Sequence, residues 1–132
     1  MKTNAMKTIL LVDDDPDQLE QLKFHVARFG YRPVTACSQK EGEAILEKMA
    51  PDLAIIDLMM ENQDSGFILS YKIKQRFPHV PVIIITAVTA ESGLKFSLET
   101  EDDRRWIKAD KYIEKGIRPD QLHREINKLL KV

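Results

Sequence analysis

Three runs of four apolar residues, Ile9 to Val12, Leu53 to Ile56 and Val82 to Ile85, constrain this chain more than any other feature. A strand that faces water on one side alternates apolar with polar residues, whereas an unbroken run demands burial on both faces, as in a parallel sheet covered by helices. Four residues is far short of a membrane span, and Met1 to Met6 lacks the apolar stretch of a signal peptide. A cytoplasmic protein without membrane association is therefore expected. One domain is expected over 1–132, with 1–6 as a short N-terminal extension, because 132 residues suffice for a single core without disulfides or a structural metal. Cys37 has no second cysteine to pair with, and a small buried side chain is its simplest role. With 20 basic against 21 acidic residues, no bulk electrostatic attraction to nucleic acid or an anionic membrane can be argued.

Helical patterns separate the runs. Asp15 is placed to cap a helix with Pro16 at its first position, Leu19, Leu22, Val26 and Phe29 follow at helical spacing, and Gly30 ends it. Ser38 and Glu41 form a capping box ahead of Ile45, Leu46 and Met49, with Pro51 beyond. Further helices are predicted from about Ser65 to Phe77 and from Pro119 to the end, the latter with Leu122, Ile126, Leu129 and Leu130 on one face. Short strands at Pro33 to Ala36 and Tyr112 to Glu114 complete an alternating order, which predicts a doubly wound α/β domain of five strands. Between Thr89 and Asp110 the charges and the apolar Leu94, Phe96, Leu98 and Trp106 fit neither period, so a loop with at most a short helix is expected. Phe96 and Trp106 are expected to pack that segment onto the domain.

In such sheets ligands bind at the carboxyl ends of the strands. Asp13 and Asp14 follow the first run, Asp57 the second and Thr86 the third, and Lys115 ends the last strand. Three carboxylates so close would repel one another by roughly 4 kcal/mol per pair at an effective dielectric near 20. A divalent cation resolves this, and a set of oxygen ligands suits Mg²⁺ or Mn²⁺ rather than zinc. A hydroxyl and an ammonium at the same rim can hold phosphoryl oxygens, so the site suits phosphoryl transfer onto a carboxylate.

The segments Ile9-Leu-Leu-Val-Asp-Asp-Asp-Pro16, Ile55-Ile-Asp-Leu-Met-Met60, Ile84-Ile-Thr-Ala87 and Tyr112-Ile-Glu-Lys115 resemble the receiver domain of two-component response regulators (CheY-like) over nearly the whole chain. That resemblance implies a flavodoxin-like sheet of order 2-1-3-4-5, with the fourth helix short or replaced by an extended loop at 89–110. It implies that Asp57 accepts a phosphoryl group from a sensor histidine kinase or a histidine phosphotransfer protein. Asp14, Asp57 and the backbone carbonyl of Met59 would bind Mg²⁺ directly, and Asp13 through a metal-bound water. Thr86 and Lys115 would hold the phosphoryl oxygens, while Thr86 and Tyr112 would act as the switch. The product would be a stand-alone receiver with an unknown downstream protein target, monomeric or weakly dimeric, catalysing its own phosphorylation and dephosphorylation but not a turnover enzyme.

The chain departs from that pattern at Gly116, where the family usually has proline, and at Glu61, also commonly proline. Met59 and Val88 are apolar at positions that flank the phosphorylation site in the family, which predicts a long-lived phosphoryl group. Two other readings compete. Asp13-x-Asp15 after an apolar strand also resembles the first motif of haloacid-dehalogenase-type phosphatases, with Asp13 as nucleophile, although a late acidic pair is missing and little chain is left for a cap. A receiver-like scaffold that no longer switches is the other. For Asp13 and Asp14 the plainer role is a helix-capping cluster; Tyr112 is as readily a core aromatic. His25, His79 and His123 lack ligand spacing and are expected at the surface or at caps, and the glycines form no nucleotide-binding loop.

Overall fold

The computed structural model describes residues 6–58, 65–86 and 109–131. The chain order is β1 (Thr8–Val12), α1 (Pro16–Arg28), β2 (Arg32–Ala36), α2 (Gln39–Leu46), β3 (Leu53–Asp57), α3 (Ser65–Arg76), β4 (Val82–Thr86), β5 (Lys111–Glu114) and α4 (Pro119–Leu130). All strand pairs are parallel, in the order β2-β1-β3-β4-β5. The expected segment 89–110 lies outside the described residues except for Ala109 and Asp110, as do Met59, Glu61, Val88, Phe96 and Trp106.

The unbroken apolar runs divide by strict alternation. Leu10, Val12, Ala54, Ile56, Val82 and Ile84 pack against Leu46 of α2 and Leu69 and Ile73 of α3. Ile9, Leu11, Leu53, Ile55, Ile83 and Ile85 pack on the other face against Val26 of α1 and Leu122 and Ile126 of α4. Successive side chains of a strand point to opposite faces, so only a continuous run serves two cores at once. Each of the Val, Leu and Ile side chains among them contributes about 1.5 to 3 kcal/mol by leaving water.

The strand entrances are fixed by acids. Asp52 accepts the amide of Thr8 at 2.7 Å, and Asp110 accepts that of Val82 at 2.8 Å while pairing with Lys74. Caps follow the sequence in part. Asp15 accepts from the amide of Asp17, Pro16 opens α1, and Gly30 turns the chain at φ +98°. Ser38 accepts from the amide of Glu41, but Glu41 reaches past the capping residue and accepts from the backbone amide and the thiol of Cys37. Only half of the expected capping box forms. Helix α2 stops at Leu46, three residues before Met49. Cys37 is exposed rather than buried, since it leaves the sheet one residue after β2 ends.

Gly66, in the first turn of α3, lies directly on the end of β3. A Cβ there would stand 2.6 Å from the Asp57 carbonyl oxygen and 2.7 Å from the Leu58 Cα, so the helix meets bare backbone. His123 is also not simply a surface residue: its ring stacks on Phe29 with centroids 4.2 Å apart, and Tyr31 next to that contact donates to Asn127, joining α4 to the end of α1.

Candidate phosphoacceptor site

The sheet ladders run on past the strand ends and carry the polar residues with them. The amide of Asp13 donates to Ala36 O at 3.1 Å, that of Leu58 to Ile85 O at 2.8 Å, and that of Lys115 to Thr86 O at 2.8 Å. Backbone pairing therefore places Asp13, Asp57, Thr86 and Lys115 on the rim where the sequence expected them, and Asp14 follows Asp13. Continuing the alternation, Asp13, Asp57 and Lys115 follow the residues that face α1 and α4. Thr86 follows Ile84 on the α2 and α3 side, and Tyr112 pairs with Ile84 and packs on that same side.

Asp13, Asp14 and Asp57 each present a carboxylate oxygen, and the three lie within 4.8 Å of one another. Asp13 and Asp57 are 3% and 4% exposed, while Asp14 is open to solvent. The Lys115 ammonium stands 3.7 Å from Asp57 Oδ1. Thr86 is buried at 5% exposure. Burial is the main force on the acids, since water no longer solvates their charge. It pushes the Asp57 carboxyl up to about 7, with the neighbouring Asp13 adding repulsion and Lys115 offsetting part of it. Asp13 is raised by burial too, against an amide of Asp15 that donates to it at 2.9 Å and the positive charge of Lys115.

Oxygen donors in this number, crowded and short of positive charge, fit a hard divalent cation, with Asp13, Asp14 and Asp57 as the residues that would hold it. Met59, expected to add a backbone carbonyl, lies outside the described residues. The capping alternative for Asp13 holds only locally: it accepts from Asp15, whereas the cap of α1 is Asp15 itself.

Tyr112 sits half-buried behind this rim. Its hydroxyl is buried with no hydrogen-bond partner among the described residues, and burial pushes it up to about 12. Neither that orphaned hydroxyl nor the Gly66 contact was foreseen; a small Ser-Gly pair opening a helix is the only signal the sequence offered for the second. A cavity of about 250 Å³ opens between α1 and the β5–α4 corner, lined among others by Gln18, Leu22 and His25 on one side and Lys115, Gly116 and Pro119 on the other.

Residues 9–127 match the model of the response regulator receiver domain. Among curated relatives, the transcriptional regulatory protein GlrR of Escherichia coli is 44% identical over 79 residues, 60% of this chain and 18% of that protein. The response regulator GtcR of Aneurinibacillus migulanus is 34% identical over 113 residues, 86% of this chain and 43% of that protein. The chain thus spans less than half the length of both. A CheY-like receiver domain from Methanospirillum hungatei superposes with a TM-score of 0.82 at 29% identity, covering 96% of this chain and 95% of that one. No helix among the described residues is long and apolar enough to cross a membrane.

Proposed function

The chain belongs to the response regulator receiver domain family, and on that premise we propose that it is a phosphorylation switch whose acceptor is Asp57. The supporting observation is the gathering of Asp13, Asp14 and Asp57 within 4.8 Å with the Lys115 ammonium 3.7 Å from Asp57. The donor is a phosphohistidine of a sensor kinase or phosphotransfer protein, which reaches the rim beside the groove between α1 and the β5–α4 corner. The compartment is the cytoplasm, where ATP charges such kinases.

In the reaction the ionised carboxylate of Asp57 attacks phosphorus, the P–N bond to the donor imidazole breaks, and the departing nitrogen keeps that electron pair and takes a proton. A bound Mg²⁺, or Mn²⁺, held by Asp13, Asp14 and Asp57 with the Met59 carbonyl, would supply positive charge against the clustered acids and the phosphoryl oxygens. Lys115 provides a second positive charge at the same oxygens, and its long flexible stem suits a point contact. The Thr86 hydroxyl donates to a phosphoryl oxygen, and its movement toward it is passed to Tyr112 on the same face. Each cycle modifies the protein once, so the chain is a switch and not a turnover enzyme. It acts by binding a partner or by passing the phosphoryl group on.

Incubation with acetyl phosphate and Mg²⁺, followed by mapping of the modified residue, tests this. One phosphoryl group on Asp57, lost in Asp57→Asn, is expected. Label on Asp13 with sustained turnover would overturn the assignment and revive a phosphatase chemistry.

A further inference from the structure

We propose that Gly116 is the positioning residue for Lys115, turning the chain through a left-handed backbone so that the ammonium is aimed at Asp57; this rests on the reading of Lys115 given above. The lysine is held from behind, because its amide donates to Thr86 O at 2.8 Å. Three residues later the chain is fixed again, with Pro119 opening α4 behind an extended Arg118. The corner between these two points must therefore be made by residues 116–118, and Gly116 makes it at φ +88°.

Among the described residues a Cβ at 116 would meet nothing within 4 Å, so no described neighbour demands the glycine. The backbone angle is what L-residues resist, β-branched ones most and Asn least. Proline, usual at this place in the family, is held near −65° and cannot supply +88°. This chain therefore reaches the same lysine by a different backbone.

The consequence is specific. Lys115 stands 3.7 Å from Asp57 at the end of β5, while the acids that would hold the cation lie just past the end of β1 and at the end of β3. A changed corner should slow the chemistry and leave the cation alone. The test compares Gly116→Asn, Gly116→Ala and Gly116→Val in the full chain, by phosphorylation rate with acetyl phosphate at saturating Mg²⁺, Mg²⁺ affinity by calorimetry, and urea unfolding. Rates should fall in the order Gly, Asn, Ala, Val, with Val slower by about tenfold or more, approaching the roughly 10²-fold typical of removing one stabilising group. Mg²⁺ affinity should not change. Should Gly116→Val fail to fold, the order of Asn and Ala decides. Equal rates across the series, Asn as slow as Ala, or Mg²⁺ affinity falling in step with the rate would each overturn the inference. An unaltered chain that takes no phosphoryl group would instead overturn the reading of Lys115 itself.

Discussion

Replacing Asp57 with Asn should make the metal-free protein more stable, although it removes the proposed acceptor. The Asp57 carboxyl lies at about 7 in the folded chain against 3.8 when free, because burial and the charge of Asp13 oppose its ionisation. A folded value above the unfolded one means that ionisation works against folding. Below pH 4 both states hold the proton and nothing is lost; the penalty builds as pH rises toward 7 and is complete above it. The gap corresponds to a ceiling of about 4 kcal/mol at 1.36 kcal/mol per tenfold. Asp13 shares the same repulsion, so neutralising Asp57 alone recovers only part of that ceiling, and the offset from Lys115 is already contained in the value near 7. We therefore expect a gain of about 2 kcal/mol at pH 8 in EDTA, or about 8 °C in Tm for a domain of this size. Urea unfolding followed by circular dichroism at pH 8 and pH 4.5 measures it. At pH 4.5, still above the free value of 3.8, about a quarter of the gain should remain, and Mg²⁺ at pH 8 should stabilise the unaltered chain but hardly the variant. An Asp57→Asn protein no more stable at pH 8, or a gain that persists undiminished at pH 4.5, would refute the electrostatic account.

Gly66→Ala forces a methyl group onto the Asp57 carbonyl and should lower stability by about 1 to 3 kcal/mol, read as an earlier urea midpoint; an unchanged midpoint would show that the contact is soft. Tyr112→Phe deletes a buried hydroxyl that has no partner among the described residues and should raise stability by about 1 to 3 kcal/mol, so a less stable variant would mean that the hydroxyl is satisfied. Thr86→Ala should slow phosphorylation by about 10²-fold with Mg²⁺ affinity intact, and equal rates would remove Thr86 from the chemistry. With apolar Met59 and Val88 offering no group to orient water, the phosphoryl group should persist for minutes or longer; loss within seconds would contradict this.

How far the fold can be read from the sequence depends on the range of the forces. The three apolar runs specify doubly covered strands because a two-residue period acting on both faces leaves no alternative, and Pro16, Gly30 and Pro119 mark helix ends through their own backbone restrictions. The rim was legible because the polar residue after each run is carried by the same ladder that builds the sheet. Contacts between distant segments were not. Glu41 chooses the amide of Cys37 over that of Ser38, and His123 finds Phe29 across ninety-odd residues of chain; no local pattern encodes either pairing. The raised Asp57 carboxyl was foreseeable in direction from three clustered acids, but its main cause is burial, which only the folded chain reveals.

The bare Cα of Gly66 has a mechanical consequence. With the helix already against the Asp57 carbonyl, α3 can neither slide along β3 nor roll toward it without lifting off, so this half of the molecule acts as an anvil. On the proposed reading, the stroke that accompanies phosphorylation of Asp57 is delivered through β4 and β5, where the buried Tyr112 hydroxyl has no hydrogen-bond partner among the described residues.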